Sequence, residues 1–227
     1  MCVFIRRAKA SDAEFLAWVT LTASRAHLAR GLWDLIIGAD EAGCLDYLQR
    51  LAIAEPRSLY HWSSYIVAEI DGERAAALCG FEPQDGGWAT AGDAMSNVQR
   101  ELAWTDADAA ASYQRIAPVW AACSLPDAGA DYVIENVATK PEYRRRGYAV
   151  ILLDVILHDA FDRDCTLAQI TTYMGNDAAL LVYEKAGFKV LDEKRCTDLE
   201  KLLGVPGFIR LTRELKIEEL FPHGTSL

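Results

Sequence analysis

The stretch Glu135-Asn-Val-Ala-Thr-Lys-Pro-Glu-Tyr-Arg-Arg-Arg-Gly-Tyr-Ala149 decides how the chain is read. Residues 132–139 are rich in β-branched side chains and predict a strand. Pro141 ends it, because proline has no N–H to give to a ladder. Arg144, Arg145, Arg146 and Gly147 make a short basic turn, and a long apolar helix is predicted over 147–163. A strand, a basic glycine-containing turn and a helix N-terminus together suit a phosphorylated ligand. Backbone N–H groups point outward, the helix dipole favours negative charge, and guanidinium groups add charge-assisted bonds. Judged by charge alone, a solvated basic turn is the commoner meaning of three adjacent arginines.

Downstream, the 147–163 helix is apolar around most of its circumference (Val150, Ile151, Leu153, Val155, Ile156, Leu157, Phe161). Only Asp154, His158 and Asp162 form a polar stripe, so the helix is expected to pack hard against a sheet. A strand follows at 167–173. Asn176 then caps a helix of about ten residues that Gly187 terminates. Strands are expected at 188–192 and 208–215, with a loosely held tail from Glu218.

Upstream, 3–8 reads as a strand. Ser11 and Glu14 read as a capping box opening a helix to about Arg30. A short apolar piece lies at 32–37, and Asp40 caps a helix at 41–54. Asp71-Gly72 joins strands at 65–70 and 75–81 as a hairpin. Residues 82–130 break this rhythm. After a loop around Pro83 they show helical patterns at 94–103 and 106–123, with Pro118 expected to bend or end the second. A structured helical insertion fits better than a long bare loop. The order of elements implies one α/β domain over 1–227, built on a mixed β-sheet flanked by helices.

Composition narrows the function classes. The 227 residues are 52% hydrophobic with a net charge of −10, which argues against disorder and against general nucleic-acid binding. No stretch predicts a membrane span and the N-terminus lacks a signal layout, so a cytoplasmic protein without nucleic-acid or membrane partners is expected. Six cysteines are scattered without metal-like spacing and read as reduced thiols; no metal is expected.

A second stretch narrows the ligand: Asn176-Asp-Ala-Ala-Leu-Leu-Val-Tyr-Glu-Lys-Ala-Gly-Phe188. With the first, spaced as Arg144-x-x-Gly147-x-Ala149, the chain resembles the GNAT superfamily of acyl-CoA-dependent N-acyltransferases. The specific resemblance covers residues 130–192, and Ala149 stands where the family often has a third glycine. The resemblance implies acetyl-CoA as acyl donor and a small amine or a protein amine as acceptor, with direct attack in a ternary complex. A homodimer stays open.

By that resemblance the pyrophosphate sits on the turn of Arg144, Arg145, Arg146, Gly147, Tyr148 and Ala149, and the pantetheine arm pairs with the backbone of Val137, Ala138 and Thr139. Asn176 adds a hydrogen bond to that arm; capping its own helix is its plainer role. Tyr183 protonates the leaving thiolate, against a plain packing role. Glu135 is the first candidate for the base. Strand alternation would put it on the face of Val137 and Thr139, and a salt bridge to a buried arginine is the structural alternative. Glu82 is the second candidate, better read as an exposed carboxylate. Trp33, Trp88 and Trp104 fall in segments that could wall an acceptor pocket. The competing functional reading is a domain that binds acyl-CoA without turnover, as a sensor or interaction module. A nucleotide site ranks lower, since no Gly-x-x-x-x-Gly-Lys-Ser/Thr or Gly-x-Gly-x-x-Gly is present.

Overall fold

The computed structural model describes residues 2–85, 87–123 (backbone only at 121–123) and 129–216. The tail from Glu218 and Gly86 of the loop after Pro83 lie outside the described residues. Seven strands form one sheet: β1 (Val3–Arg7), β2 (Tyr65–Ile70), β3 (Glu73–Phe81), β4 (Tyr132–Thr139), β5 (Leu167–Tyr173), β6 (Lys189–Arg195) and β7 (Gly207–Glu214). Their order is β1-β2-β3-β4-β5-β7-β6. All neighbours are antiparallel except β4 and β5, the parallel pair at the centre. That pair needs a crossover, and helix α6 (Tyr148–Phe161) supplies it.

Helix α6 lies on one face of the sheet. Tyr148, Leu152, Leu153, Ile156, Leu157 and Ala160 are buried there against Ile66, Leu78, Ile134 and Ile170. Each fully buried Leu or Ile contributes about 1.5–3 kcal/mol by removal of apolar area from water. Helix α7 (Asp177–Lys185) joins the same face through Tyr183. The opposite face is covered by α1 (Ala13–Arg25), which brings Phe15, Leu16 and Val19 onto Tyr65, Val67, Cys79 and Val133. Behind α1 stand α2 (Leu32–Ile37), α3 (Glu41–Leu51) and α4 (Ala91–Glu101), joined around Trp33, Tyr47 and Val98. Helix α5 (Asp106–Cys123) packs through Ile116 and Val119 on Leu199 of α8 (Thr197–Leu203) and on Tyr173 and Phe208 of the sheet.

The insertion between β3 and β4 is helical, as its sequence predicts, but α5 runs through Pro118 without ending there. Other expectations are corrected. Ser11 does not cap α1, which ends at Arg25 rather than Arg30. Ser11 sits inside a 3-10 turn (Ala10–Asp12), and the N-cap of α1 is Asp12. The Asp12 carboxylate accepts from Lys9 N (2.8 Å) and from the Arg6 guanidinium (2.7 Å), so an ion pair outcompetes the predicted box. Helix α8 was not predicted, and β6 extends three residues past its expected end. Helix α3 stops at Leu51. Among the described residues no helix is long and apolar enough to cross a membrane, and Cys2, Cys44, Cys79, Cys165 and Cys196 are free thiols.

Candidate active site

The two central strands part company halfway. Tyr132, Val133 and Ile134 pair with Ala168, Gln169 and Ile170, and beyond Ile134 the pairing stops. On its other side β4 stays bound to β3, where Ala138 lies opposite Ala77 and Glu135 opposite Cys79. Three residues separate the first pair of positions on β4 and two on β3, so β4 carries one residue too many. The extra residue is a bulge at Asn136, whose φ is 54°. Bulges bend and twist the strand that carries them. From Glu135 to Thr139 one backbone edge of β4 therefore faces a gap instead of a neighbour. An unpaired edge inside a sheet is a template for an extended ligand.

The bulge is held by side chains that sequence reading overlooked. Asn136 Nδ2 donates to the Tyr65 hydroxyl at 3.0 Å, and that hydroxyl lies 2.9 Å from Thr20 Oγ1 on α1. Asparagine tolerates positive φ better than most residues, and that weak preference was the one local signal available.

The bulge also corrects the face assigned to Glu135. Val137 packs with the α6 cluster, and Thr139 pairs with Ala76 of that same cluster. Glu135 pairs with Cys79, which belongs to the α1 face. Simple alternation fails because one inserted residue reverses every side chain beyond it. Glu135 and Ala138 thus share one face, and Val137 and Thr139 the other.

The Glu135 carboxyl is half-buried and, among the described residues, has neither hydrogen bond nor ion pair. The buried-arginine alternative is therefore not realised. Burial alone pushes its pKa up to about 8. Tyr183 is buried, edge-on to Phe188 at 6.4 Å. Its phenol pKa is raised first by burial and then by the negative charge of Glu135. The Cys79 thiol donates to the Leu59 carbonyl at 3.0 Å, and burial, then Glu135, raise its pKa. It stays a thiol and is unsuited to nucleophilic attack. A carboxyl titrating near neutrality can accept a proton from an ammonium, and a phenol held protonated can give one.

Past Thr139 the chain makes a 3-10 turn at Pro141–Tyr143 and enters the basic turn. Arg144 Nε donates back to the Thr139 carbonyl at 3.0 Å, tying the turn to the end of β4. Arg146 lies over the Tyr143 ring at 5.8 Å. Arg145 and Gly147 both have positive φ, 60° and 84°. A Cβ on Gly147 would meet nothing within 4 Å, so backbone conformation explains this glycine, and the space above it is open. The first i→i−4 bond of α6 is Ile151 N to the Gly147 carbonyl, 3.0 Å. The N–H groups of Tyr148, Ala149 and Val150 precede it, at the positive end of the helix dipole. The exposed arginines and this helix end fit a diphosphate, while the open edge of β4 fits an extended chain with amide groups.

Five further candidates each have a partner elsewhere in the structure. Asn176 caps α7, accepting from Ala179 N (3.4 Å) and donating to Thr172 Oγ1 (2.9 Å), so both ends of its amide are engaged. Glu82 lies 3.6 Å from Arg163 and accepts from Gln84 at 3.0 Å, a structural carboxylate. Trp33 and Trp104 lie tilted against Tyr47 in the helical layer, at 6.1 and 5.6 Å, and Trp88 sits edge-on to Phe81 at 5.7 Å, at the end of β3.

The sequence profile of the acetyltransferase (GNAT) family matches residues 30–188. The chain belongs to the GNAT acetyltransferase family. Its fold is that of known acetyltransferases. One acetyltransferase crystal structure matches with a TM-score of 0.67 at 16% identity, over 94% of this chain and 100% of the other. An N-acetyltransferase from Staphylococcus aureus Mu50 gives 0.66 at 18% identity, over 92% and 100%. The polyamine N-acetyltransferase of Drosophila melanogaster, which forms N-acetylagmatine, gives 0.54 at 12%, over 94% and 100%. No curated protein matches the chain.

Proposed function

We propose that the protein transfers an acetyl group from acetyl-CoA to a primary amine by direct attack within a ternary complex. The observation that carries this reading is the gap beside β4, with the unpartnered Glu135 carboxyl on that open half and its charge raising the pKa of the Tyr183 phenol. In this reading the backbone of Val137, Ala138 and Thr139 receives the pantetheine amides. The turn from Arg144 to Ala149 receives the diphosphate, and the β4 backbone polarises the thioester carbonyl.

Glu135 takes a proton from the incoming ammonium. The freed nitrogen lone pair bonds to the carbonyl carbon, the C–S bond breaks, the Tyr183 proton goes to the departing sulfur, and the second surplus proton on nitrogen is lost to restore the Tyr183 phenol. A pKa near 8 suits this base, because it is partly ionised at neutral pH yet basic enough to deprotonate an amine. With Asn176 engaged in its helix cap, it acts here by fixing the start of α7 and thereby Tyr183. The polyamine enzyme from Drosophila melanogaster makes diamines and agmatine the natural first acceptors to try.

The test measures free thiol released from acetyl-CoA across a panel of diamines, agmatine, amino acids and peptides with free N-termini. Acceptor-dependent thiol release is expected. Saturable acetyl-CoA binding with no release across the panel would instead support a non-catalytic sensor.

A further inference from the structure

Tyr65, Cys79 and Glu135 lie in one row across three strands. Tyr65 of β2 pairs with Cys79 of β3, and Cys79 pairs with Glu135 of β4. Neighbouring strands stand about 4.8 Å apart, so the Tyr65 ring has to pass over the small Cys79 side chain to reach β4. Its hydroxyl arrives at Asn136 and not at Glu135: the Asn136 amide donates to it at 3.0 Å. The phenol proton needs an acceptor of its own, because Tyr65 is buried at 0% exposure, and Thr20 Oγ1 stands 2.9 Å away. The chain of bonds runs from Asn136 through Tyr65 to Thr20 on α1.

Glu135 and Asn136 are consecutive, yet both face α1, one opposite Cys79 and the other on Tyr65. The bulge therefore sets an amide N–H donor beside the carboxyl. A carboxylate that accepts such a bond becomes a weaker base. Among the described residues Glu135 accepts none. The titratable groups on its side of the sheet are the Cys79 thiol of β3 and, beyond it, the Tyr65 phenol of β2; α7 brings the Tyr183 phenol. Burial raises the pKa of all three, so they stay neutral. Helix α1 brings only the Thr20 hydroxyl, and no charged partner acts on the carboxyl.

We propose that Tyr65 is a positioning residue: its hydroxyl holds the Asn136 amide away from Glu135 and so keeps that carboxyl free to accept a proton. The use of that proton rests on the acyl-transfer reading above; the hold on the amide does not. Tyr65 touches neither Glu135 nor the open edge of β4. It acts through Asn136, and Thr20 fixes the direction in which its own proton points.

The test follows the titration of the Glu135 carboxyl by carbon-13 NMR, assigned with Glu135→Gln, in the wild type, Tyr65→Phe, Asn136→Gly and the double variant. The wild-type midpoint is expected at about 8. Tyr65→Phe removes one atom and frees the amide, so its midpoint should fall by about one unit or more. The rise of kcat/KM with pH, for acetyl-CoA and the most active amine of the panel, should move down with it. Asn136→Gly accepts the positive φ and carries no amide, so alone it should keep the wild-type midpoint and in the double variant restore it. A Tyr65→Phe midpoint equal to the wild type, or a double variant as low as Tyr65→Phe, overturns the proposal and leaves the acyl-transfer reading standing. A wild type without acceptor-dependent thiol release overturns the acyl-transfer reading, while the four midpoints still decide the hold on the amide.

Discussion

The two halves of β4 belong to one strand and have opposite fates. Tyr132, Val133 and Ile134 are buried; Val133 and Ile134 are paired with strands on both sides, and Tyr132 with β5. Glu135 to Thr139 are bonded on one side only, and all but Ala138 are half-buried. The first half is a structural element of the core; the second is an interrupted one. One residue, Asn136, at positive φ and tied to Tyr65, separates them. The difference teaches that this site is made by withholding a strand partner, and that its side-chain chemistry is set by the face on which the bulge leaves Glu135.

Substitutions in each half should therefore fail in different ways. The largest effect is expected for Glu135→Gln, which should lower kcat by about 10²–10⁴-fold by removing the proton acceptor. It should also flatten a wild-type pH profile in which kcat/KM rises through about pH 8. Unchanged turnover by Glu135→Gln would assign the open half no base.

Next is Ile134→Ala in the closed half, buried at 0% exposure, which should cost about 2–5 kcal/mol of stability by denaturant titration. At temperatures where the variant stays folded, its affinity for acetyl-CoA should match the wild type. A selective loss of affinity would erase the distinction between the halves.

Tyr183→Phe should follow, with kcat reduced about 10²-fold and acetyl-CoA affinity kept, read by steady-state kinetics and calorimetry. Gly147→Ala puts a Cβ on a residue at φ 84° and should cost about 1–2 kcal/mol, seen as weaker acetyl-CoA binding or a lower Tm.

The smallest effect concerns stability against pH. An unfolded Glu135 has the ordinary value of 4.5 and the folded one about 8. Between these values the folded state holds the proton and the unfolded state releases it, so stability falls as pH rises through that window. The Tm difference between Glu135→Gln and the wild type should accordingly grow from pH 5 to pH 9. By contrast, Glu82→Gln breaks a partly exposed pair and should shift Tm hardly at all at either pH.

The cofactor half of the molecule was legible because its signals are local. A proline after a β-branched run, a glycine six residues after that proline and an asparagine before a helix each act within a few residues. The elements β4, α6, β5 and α7 accordingly fall close to where the sequence puts them. What was misread depended on distant partners. Ser11 lost its capping role because Arg6 and Lys9 claimed Asp12. Helix α8 was missed because its few apolar residues, such as Leu199, gain their meaning only against Ile116 and Val119 of α5.

By itself the sequence determined a mixed α/β sheet, the basic turn at Arg144 to Ala149 and the helix bearing Tyr183, since periodicity, capping and φ preferences are short-range. Only the tertiary structure decided that β4 separates from β5 after Ile134 and that Glu135 faces α1 without a partner. A strand carries no record of which neighbour it will lack, and a single bulged residue reverses the face of everything after it.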